Sequence, residues 1–275
     1  MSERTSEAKW DAAADGYTRA AAMRVALIPA TEKMLDLAGI ASGDRVLDVG
    51  CGPGEQTLMA AARVGATGHV LATDSAAPMI AATERAIAAA GATNISTRLC
   101  AVQALAGDTF DAAICRFVLM LLPDPTAAAA AVCDVLRPGG RFAAMVHGDP
   151  EKNPLNKLAT DILSRHGGVA IDRDKPGFFS LANHARLEDV MRNAGFVDVA
   201  VTAVRLIRRL DSASSAVAMV RAGYAECIRL VVDLPLEGQN AAWAELEQAL
   251  SEFNGPDGCA IPAEVNLVVG RKPAR

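Results

Sequence analysis

Two carboxylates, a run of glycines and a histidine are the residues of this chain best placed to do chemistry. Asp48 lies in an apolar β-type stretch, Val46-Leu47-Asp48-Val49. That stretch breaks into Gly50-Cys51-Gly52-Pro53-Gly54 and resumes as a helix through Glu55, Gln56, Thr57 and Leu58. A strand that turns through glycines into a helix N-terminus brings backbone very close to a ligand. Asp74 ends the next apolar run, HVLATD, 20 residues after Gly54. That spacing suits a carboxylate that accepts hydrogen bonds from ribose hydroxyls. Together these features describe a nucleoside-cofactor site. His147 closes a later apolar run, FAAMVH. It falls at the carboxyl edge expected of a sheet strand, where ligands bind in open α/β folds and where a general base would stand.

The glycine spacing selects among nucleosides. The dinucleotide fingerprint G-x-G-x-x-G needs a third glycine for close helix–strand packing around a pyrophosphate. Counted from Gly50 the third position is Glu55, and counted from Gly52 it is Thr57. A carboxylate beside the loop also repels a pyrophosphate. The pattern Asp-x-Gly-x-Gly-x-Gly instead resembles motif I of the class I S-adenosylmethionine (SAM) methyltransferases. The likeness extends to TFDAAICRFVLMLLPDP (Thr109–Pro125), VLRPGGRFAAMV (Val135–Val146), AGFVDV (Ala194–Val199) and EVNLVVGRKP (Glu264–Pro273). These segments resemble strands four to seven of the ubiquinone/menaquinone-biosynthesis-type small-molecule methyltransferases, over residues 8–273.

The resemblance implies SAM as cofactor and S-adenosylhomocysteine (SAH) as product. It places Asp48, Gly50, Gly52 and Gly54 along the methionine and ribose, with Gln56 and Thr57 offering polar contacts where the helix opens. Asp74 is the implied ribose acid, and Ser75 and Met79 flank the adenine. Arg116 lies near the cofactor, and Tyr17 reaches its carboxylate from an N-terminal lid. One position departs from the family. Its third strand is commonly followed by an Asp that accepts from the adenine amino group, and here that position is Ala101, with Gln103 in place of a Glu. The backbone N–H of Val102 remains to meet the adenine. Transfer of an already activated methyl is largely a matter of placement, and a base helps where the acceptor is a hydroxyl. His147 is the candidate base, ahead of His184 and His166. His147 and Asp149 lack a third partner at metal-ligand spacing, so no metal is expected.

Behind these residues the chain alternates strand and helix. Strands are expected at 45–50, 69–74, 95–100, 110–116, 140–147 and 196–206, with helices at 54–64, 77–90, 126–136 and 183–194. Such alternation makes an α/β, Rossmann-like sheet, mostly parallel, with helices on both faces; the resemblance sets it at seven strands. Pro138-Gly139-Gly140 ends a helix ahead of strand five. Residues 150–182, with NPLNKL and DKPGFFS, suggest a loop or lid. Helical periodicity at 212–232 and 240–253 falls within a cap, residues 207–262, between strands six and seven. Residues 1–38 form an N-terminal helical lid, and residues 1–275 a single domain.

Composition bounds the function. The net charge of −5 gives no general attraction to phosphate backbones, so no nucleic-acid partner is expected. No apolar run approaches the ~20 residues that span a bilayer, and MSERTSEAKWDAAADGY lacks an apolar signal core. The six scattered cysteines form no C-x-x-C pair. They suit reduced thiols of a cytoplasmic protein. The expected activity is methyl transfer from SAM to a small-molecule acceptor at O, C or N, on a secondary-metabolite or quinone-like substrate. The alternative is a SAM-fold protein that does not methylate: a lyase, cyclase or binding module. A homodimer is compatible with either.

Overall fold

The computed structural model describes residues 25–274. Tyr17 and most of the expected N-terminal lid lie outside the described residues. Among the described residues eight strands form one sheet: β1 (Arg45–Val49), β2 (His69–Asp74), β3 (Ile95–Leu99), β4 (Phe110–Arg116), β5 (Leu136–His147), β6 (Val197–Leu210), β7 (Asn254–Gly255) and β8 (Gly258–Arg271). Their order is β3-β2-β1-β4-β5-β8-β6, with β7 paired to β8 as a short hairpin. Pairs from β3 to β5 are parallel, and β8 runs antiparallel between β5 and β6. The expected seven strands are therefore present, with the two-residue β7 added.

Alternation along the strands splits the core into two layers. Val46, Ala112, Ile114, Ala143 and Met145 face helices α1 (Ile28–Ala38) and α2 (Glu55–Val64). Leu47, Val49, Ala113, Cys115, Phe142 and Ala144 face α4 (Pro125–Val135) and α6 (His184–Asn193). Helix α3 (Ala77–Ala90) packs beside β2 and β3. The caps explain the helix limits. Gly39 ends α1 in the left-handed conformation, at φ 69°. Asp124 accepts from the Ala127 N–H at 2.8 Å with Pro125 opening α4, and Asn183 accepts from Arg186 to start α6.

One expectation needs correction. Residues 150–182 are not all loop, because Pro154–Gly167 form helix α5. Pro154 sits in the first turn, where its missing N–H costs nothing, so the proline that looked like a breaker opens a helix. Asn153 beside it is fully buried and exchanges hydrogen bonds with the Glu264 backbone at 2.9 and 3.1 Å, tying the helix start to β8. The described end of the expected N-terminal lid carries an ordinary amphipathic helix. Helix α1 buries Ala30, Met34, Leu35 and Ala38 in the core.

The helices α7 (Ala213–Gly223), α8 (Ala225–Val231) and α9 (Leu236–Leu250) lie between β6 and the β7–β8 hairpin. β6 and β8 run on to Leu210 and back to Gly258, so the helices of the expected 207–262 segment lie within residues 213–253. These helices and α5 share a third core built on Leu155, Leu163, Val220, Trp243 and Ile261.

Candidate functional site

The site has two halves, both at the carboxyl ends of the parallel strands. The first is the β1–α2 turn. Gly50, Gly52 and Gly54 take φ values of 68°, 55° and 89°, a region open at low cost only to glycine. The turn is pinned from several sides. Thr73 O accepts from the Gly50 and Cys51 N–H groups at 2.8 and 2.9 Å. Asp74 accepts from the Gly52 N–H with one oxygen and from the Ala76 N–H with the other, both at 3.0 Å. Asp74 therefore buttresses the glycine turn from the end of β2. It does not cap α3, which begins after Ala76. Thr83, on α3, donates to the Gly52 carbonyl at 2.7 Å, a contact with no signature in the sequence.

Asp48 is fully buried beneath the turn and accepts from Thr57 Oγ1 at 2.6 Å and Gln56 Nε2 at 3.3 Å. Burial raises its pKa to about 6, against the opposing pull of the Thr57 and Gln56 hydrogen bonds and of Arg116. Gln56 Nε2 also donates to the Cys51 carbonyl at 3.1 Å. Gln56 Oε1 is buried with no hydrogen-bond partner among the described residues. The carboxylate and both helix-opening side chains thus face the turn from inside. Arg116, at the end of β4, donates to Glu55 at 3.0 Å and to Thr31 at 3.2 Å, joining α1, α2 and β4. Ser75 is half-buried at the β2 end and Met79 is buried on α3. Ala101 precedes a short 3₁₀ turn over Val102–Ala104. Val102 is buried and Gln103 exposed.

The second half surrounds His147 at the end of β5. Phe117 stacks on its ring with centroids 4.5 Å apart, and Phe178 meets it edge-on at 5.6 Å. Phe179 lies at 6.2 Å, and Tyr224 at 5.3 Å from Phe178. Phe117 has φ 61°, a strained value for a bulky residue and of a kind that clusters at functional sites. Phe178 and Phe179 come from the loop before α6, which is held by the Ser180 hydroxyl and the Gly177 N–H on the Met120 carbonyl. His147 is 5% exposed, and burial, then Arg208, pushes its pKa well below the usual histidine value. Asn156, on α5, lies 3.4 Å from His147 Nε2 and accepts from Arg208 at 3.2 Å. His184 and His166 are engaged elsewhere, with Asn266 and Glu245. The two halves touch where Val118 fills the space beside Gly50, 2.3 Å from an added Cβ.

Comparison with known proteins decides what this arrangement belongs to. Residues 46–140, from β1 into β5, match the methyltransferase domain family. The nocamycin O-methyltransferase of Saccharothrix syringae is 32% identical over 267 residues, 90% of this chain and 92% of the relative. The chain belongs to the SAM-dependent methyltransferases. The ubiquinone/menaquinone biosynthesis C-methyltransferase UbiE of Haemophilus ducreyi is 27% identical over 60% of this methyltransferase and 69% of its own length. In fold, the enzyme resembles a Haemonchus contortus phosphoethanolamine N-methyltransferase 2 solved with SAM. The TM-score is 0.56 at 15% identity, over 92% of this chain and 56% of that one.

The glycine turn suits the cofactor of this family. Three glycines leave the turn's backbone bare of side chains, the Asp74 carboxylate stands beside it, and the Gln56 amide oxygen is buried without a hydrogen-bond partner among the described residues. Sequence reasoning did not find Phe117, Phe178, Phe179, Asn156, Arg208 or Tyr224. Among these only Phe178-Phe179 carried a signal, as two of seven phenylalanines side by side in a polar segment. No described helix is long and apolar enough to cross a membrane.

Proposed function

We propose that this cytoplasmic methyltransferase transfers the SAM methyl to a planar small molecule, of secondary-metabolite or quinone-like type, stacked in the aromatic half of the site. The carrying observation is the group Phe117, His147, Phe178, Phe179 and Tyr224 at the sheet edge beside the glycine turn. Faces and edges of aromatic rings bind flat, apolar-bodied ligands. The names of the two curated relatives, one an O-methyltransferase and one a quinone-pathway C-methyltransferase, support the same substrate class.

When bound, SAM supplies a methyl group activated on a sulfonium sulfur. Gly50, Gly52 and Gly54 admit its methionine and ribose, Asp74 accepts from the ribose hydroxyls, and Gln56 Oε1 offers an acceptor to the amino end. Ser75 and Met79 flank the adenine, and the Val102 N–H meets its edge. The aromatic residues orient the acceptor and exclude water, which is most of what an in-line displacement needs. The reading is tested with radiolabelled SAM and a panel of phenols, quinols and aromatic carboxylic acids. Label should pass to at least one planar acceptor. Transfer only to RNA or protein, or no SAH binding at millimolar concentration by calorimetry, would overturn it.

A further inference from the structure

His147 is the only imidazole in the aromatic half, and its two nitrogens differ. Asn156 has Arg208 on one side of its amide and His147 on the other. A guanidinium only donates, so the amide oxygen must face Arg208 and the amide NH₂ must face the ring. Nε2 of His147 is therefore an acceptor. In a neutral imidazole the hydrogen then sits on Nδ1. Burial and the nearby Arg208 charge hold the ring neutral. Yet Nδ1 is buried with no hydrogen-bond partner among the described residues. Buried donors are rarely left unmade, so a missing partner points to a ligand. Arg208 is itself 3% exposed, and no ion pair joins it to a carboxylate among the described residues. Glu264, on β8 beside the end of β5, is held by Lys152 at 3.1 Å and Arg205 at 3.6 Å, and the Glu226 carboxylate lies beside Gly177, the residue before Phe178.

We propose that Arg208 and Asn156 fix His147 as its Nδ1–H tautomer, so that it hydrogen-bonds an oxygen of an acceptor that arrives already ionised. The ring then acts as a donor and not as the base expected from its position at the sheet edge. This rests on the methyltransferase reading above and names the substrate class within it: a carboxylate, enolate or acidic phenolate. The step balances without a base. The lone pair of the anionic oxygen forms the O–CH₃ bond, and the S–CH₃ electron pair returns to sulfur as the neutral thioether. No proton moves. His147 donates to the second oxygen of a carboxylate or, for a phenolate or enolate, to a second lone pair of its one oxygen, and in either case an attacking lone pair stays free. Arg208 supplies the compensating positive charge. Asn156 and Arg208 are positioning residues, since they act through the ring.

The tautomer is directly visible. In ¹⁵N-labelled enzyme holding SAH, two-bond ¹H–¹⁵N correlations show which imidazole nitrogen carries hydrogen, and His147→Gln assigns the signal. The expected result is Nδ1–H at neutral pH, moving to Nε2–H in Asn156→Asp, whose carboxylate accepts from both neighbours. An Nε2–H or doubly protonated His147 in the wild type overturns the proposal. The second arm titrates 1-naphthoate against the isosteric 1-naphthamide. Naphthoate should bind at least tenfold tighter and shift the His147 Nδ1 resonance. Arg208→Gln should erase that preference and Arg208→Lys should keep part of it; if Arg208→Gln does not fold, Arg208→Lys alone must show the weakened preference. Equal affinities, no naphthoate binding or an unmoved resonance overturn the anionic acceptor. SAH calorimetry on the same samples separates the cases. Loss of SAH binding in the wild type defeats the methyltransferase reading, whereas intact SAH binding with the wrong tautomer defeats only this one.

Discussion

The two halves of the site are built on opposite plans. The cofactor half is local and mostly backbone. Gly50–Gly54 and the residues that clamp them, Asp48, Gln56, Thr57, Asp74 and Thr83, come from one βαβα stretch of the chain. The proposed acceptor half is assembled from side chains that meet only in the folded protein: Phe117 after β4, His147 on β5, Asn156 on α5, Phe178 in a loop, Arg208 on β6 and Tyr224 between α7 and α8. A backbone site tolerates little change of residue because its geometry is the fold's own. A side-chain site is free to vary with the substrate while the scaffold stands still. Such a separation is compatible with similar proteins being named for methylation at oxygen in one case and at carbon in another.

If the halves are separable, damage to one should leave the other standing. The largest effect is expected from Gly54→Val. That position has φ 89°, and an added Cβ would come within 3.2 Å of the Thr83 backbone. Strain of this kind costs ~1–3 kcal/mol in the fold, and the displaced turn should lower SAH affinity at least ~100-fold. The His147 imidazole spectrum should not move. Gly50→Val should differ by disturbing both halves, because its Cβ meets Val118, next to Phe117. If Gly54→Val also shifts the His147 resonances, the two halves form one unit.

Asp48 gives the next effect, on stability. Its pKa rises from an ordinary 3.8 to about 6 on folding. Between those values the folded state binds the proton and the unfolded state does not, so stability falls as pH rises from about 4 to about 6 and stays lower above. The difference corresponds to at most ~3 kcal/mol. Urea unfolding at pH 4.5 and pH 7 should show wild type losing part of this relative to Asp48→Asn. Parallel pH dependence in the two proteins would mean that Asp48 is ionised at little cost beneath the glycine turn.

Asp74→Ala comes third. It removes the acceptor of the Gly52 and Ala76 N–H groups and, on the proposed reading, the ribose partner. Losing charge-assisted hydrogen bonds of ~1.5 kcal/mol predicts about a tenfold rise in the SAH dissociation constant. Calorimetry should find naphthoate binding unchanged. An unchanged SAH affinity would reduce Asp74 to a clamp on the loop.

What the sequence makes legible follows the same division. The glycine spacing, the strand alternation and the limits of α2, α3, α4 and α6 are short-range facts, set by caps and by period-two burial, and they emerge within a residue or two. Helix α5 was obscured because Pro154 opens a helix instead of breaking one, and because its apolar face, Leu155, Ala159, Ile162 and Leu163, packs on the cap rather than the main sheet. The place of His147 at a strand end is legible in the sequence. Its partners Asn156 and Arg208 are not, since nothing local marks an asparagine in a helix and an arginine in a strand as one hydrogen-bonded chain. Asp48 and Arg116 are expected on the cofactor side, and their side chains turn inward, to Thr57 and Gln56 and to Glu55, because buried charge needs partners.

The smallest effect tests whether adenine recognition follows the family's plan. Ala101 stands where an acid commonly accepts from the adenine amino group, so Ala101→Asp should tighten SAH binding. Two substitutes for that acid lose ground in the structure. Gln103 is exposed, and Asp108 is engaged by Arg98 at 2.6 Å and approached by Arg45 at 3.7 Å. The adenine edge is then left with the Val102 backbone, and a new carboxylate there would not be redundant. Two effects oppose the gain. Ala101 is half-buried, so the carboxylate loses part of its hydration. Ala101 also sits directly before the Val102–Ala104 turn, whose leading N–H groups would compete for the new side chain as they do at a helix N-cap. A charge-assisted hydrogen bond contributes ~1.5 kcal/mol or more, and these losses should leave about a threefold to fivefold gain in SAH affinity by calorimetry. Ala101→Asn retains an acceptor without the charge and should gain less. If Ala101→Asp binds SAH no better than wild type while circular dichroism shows an intact fold, the adenine amino group is met from elsewhere, and the cofactor half departs from its family where the acceptor half was expected to.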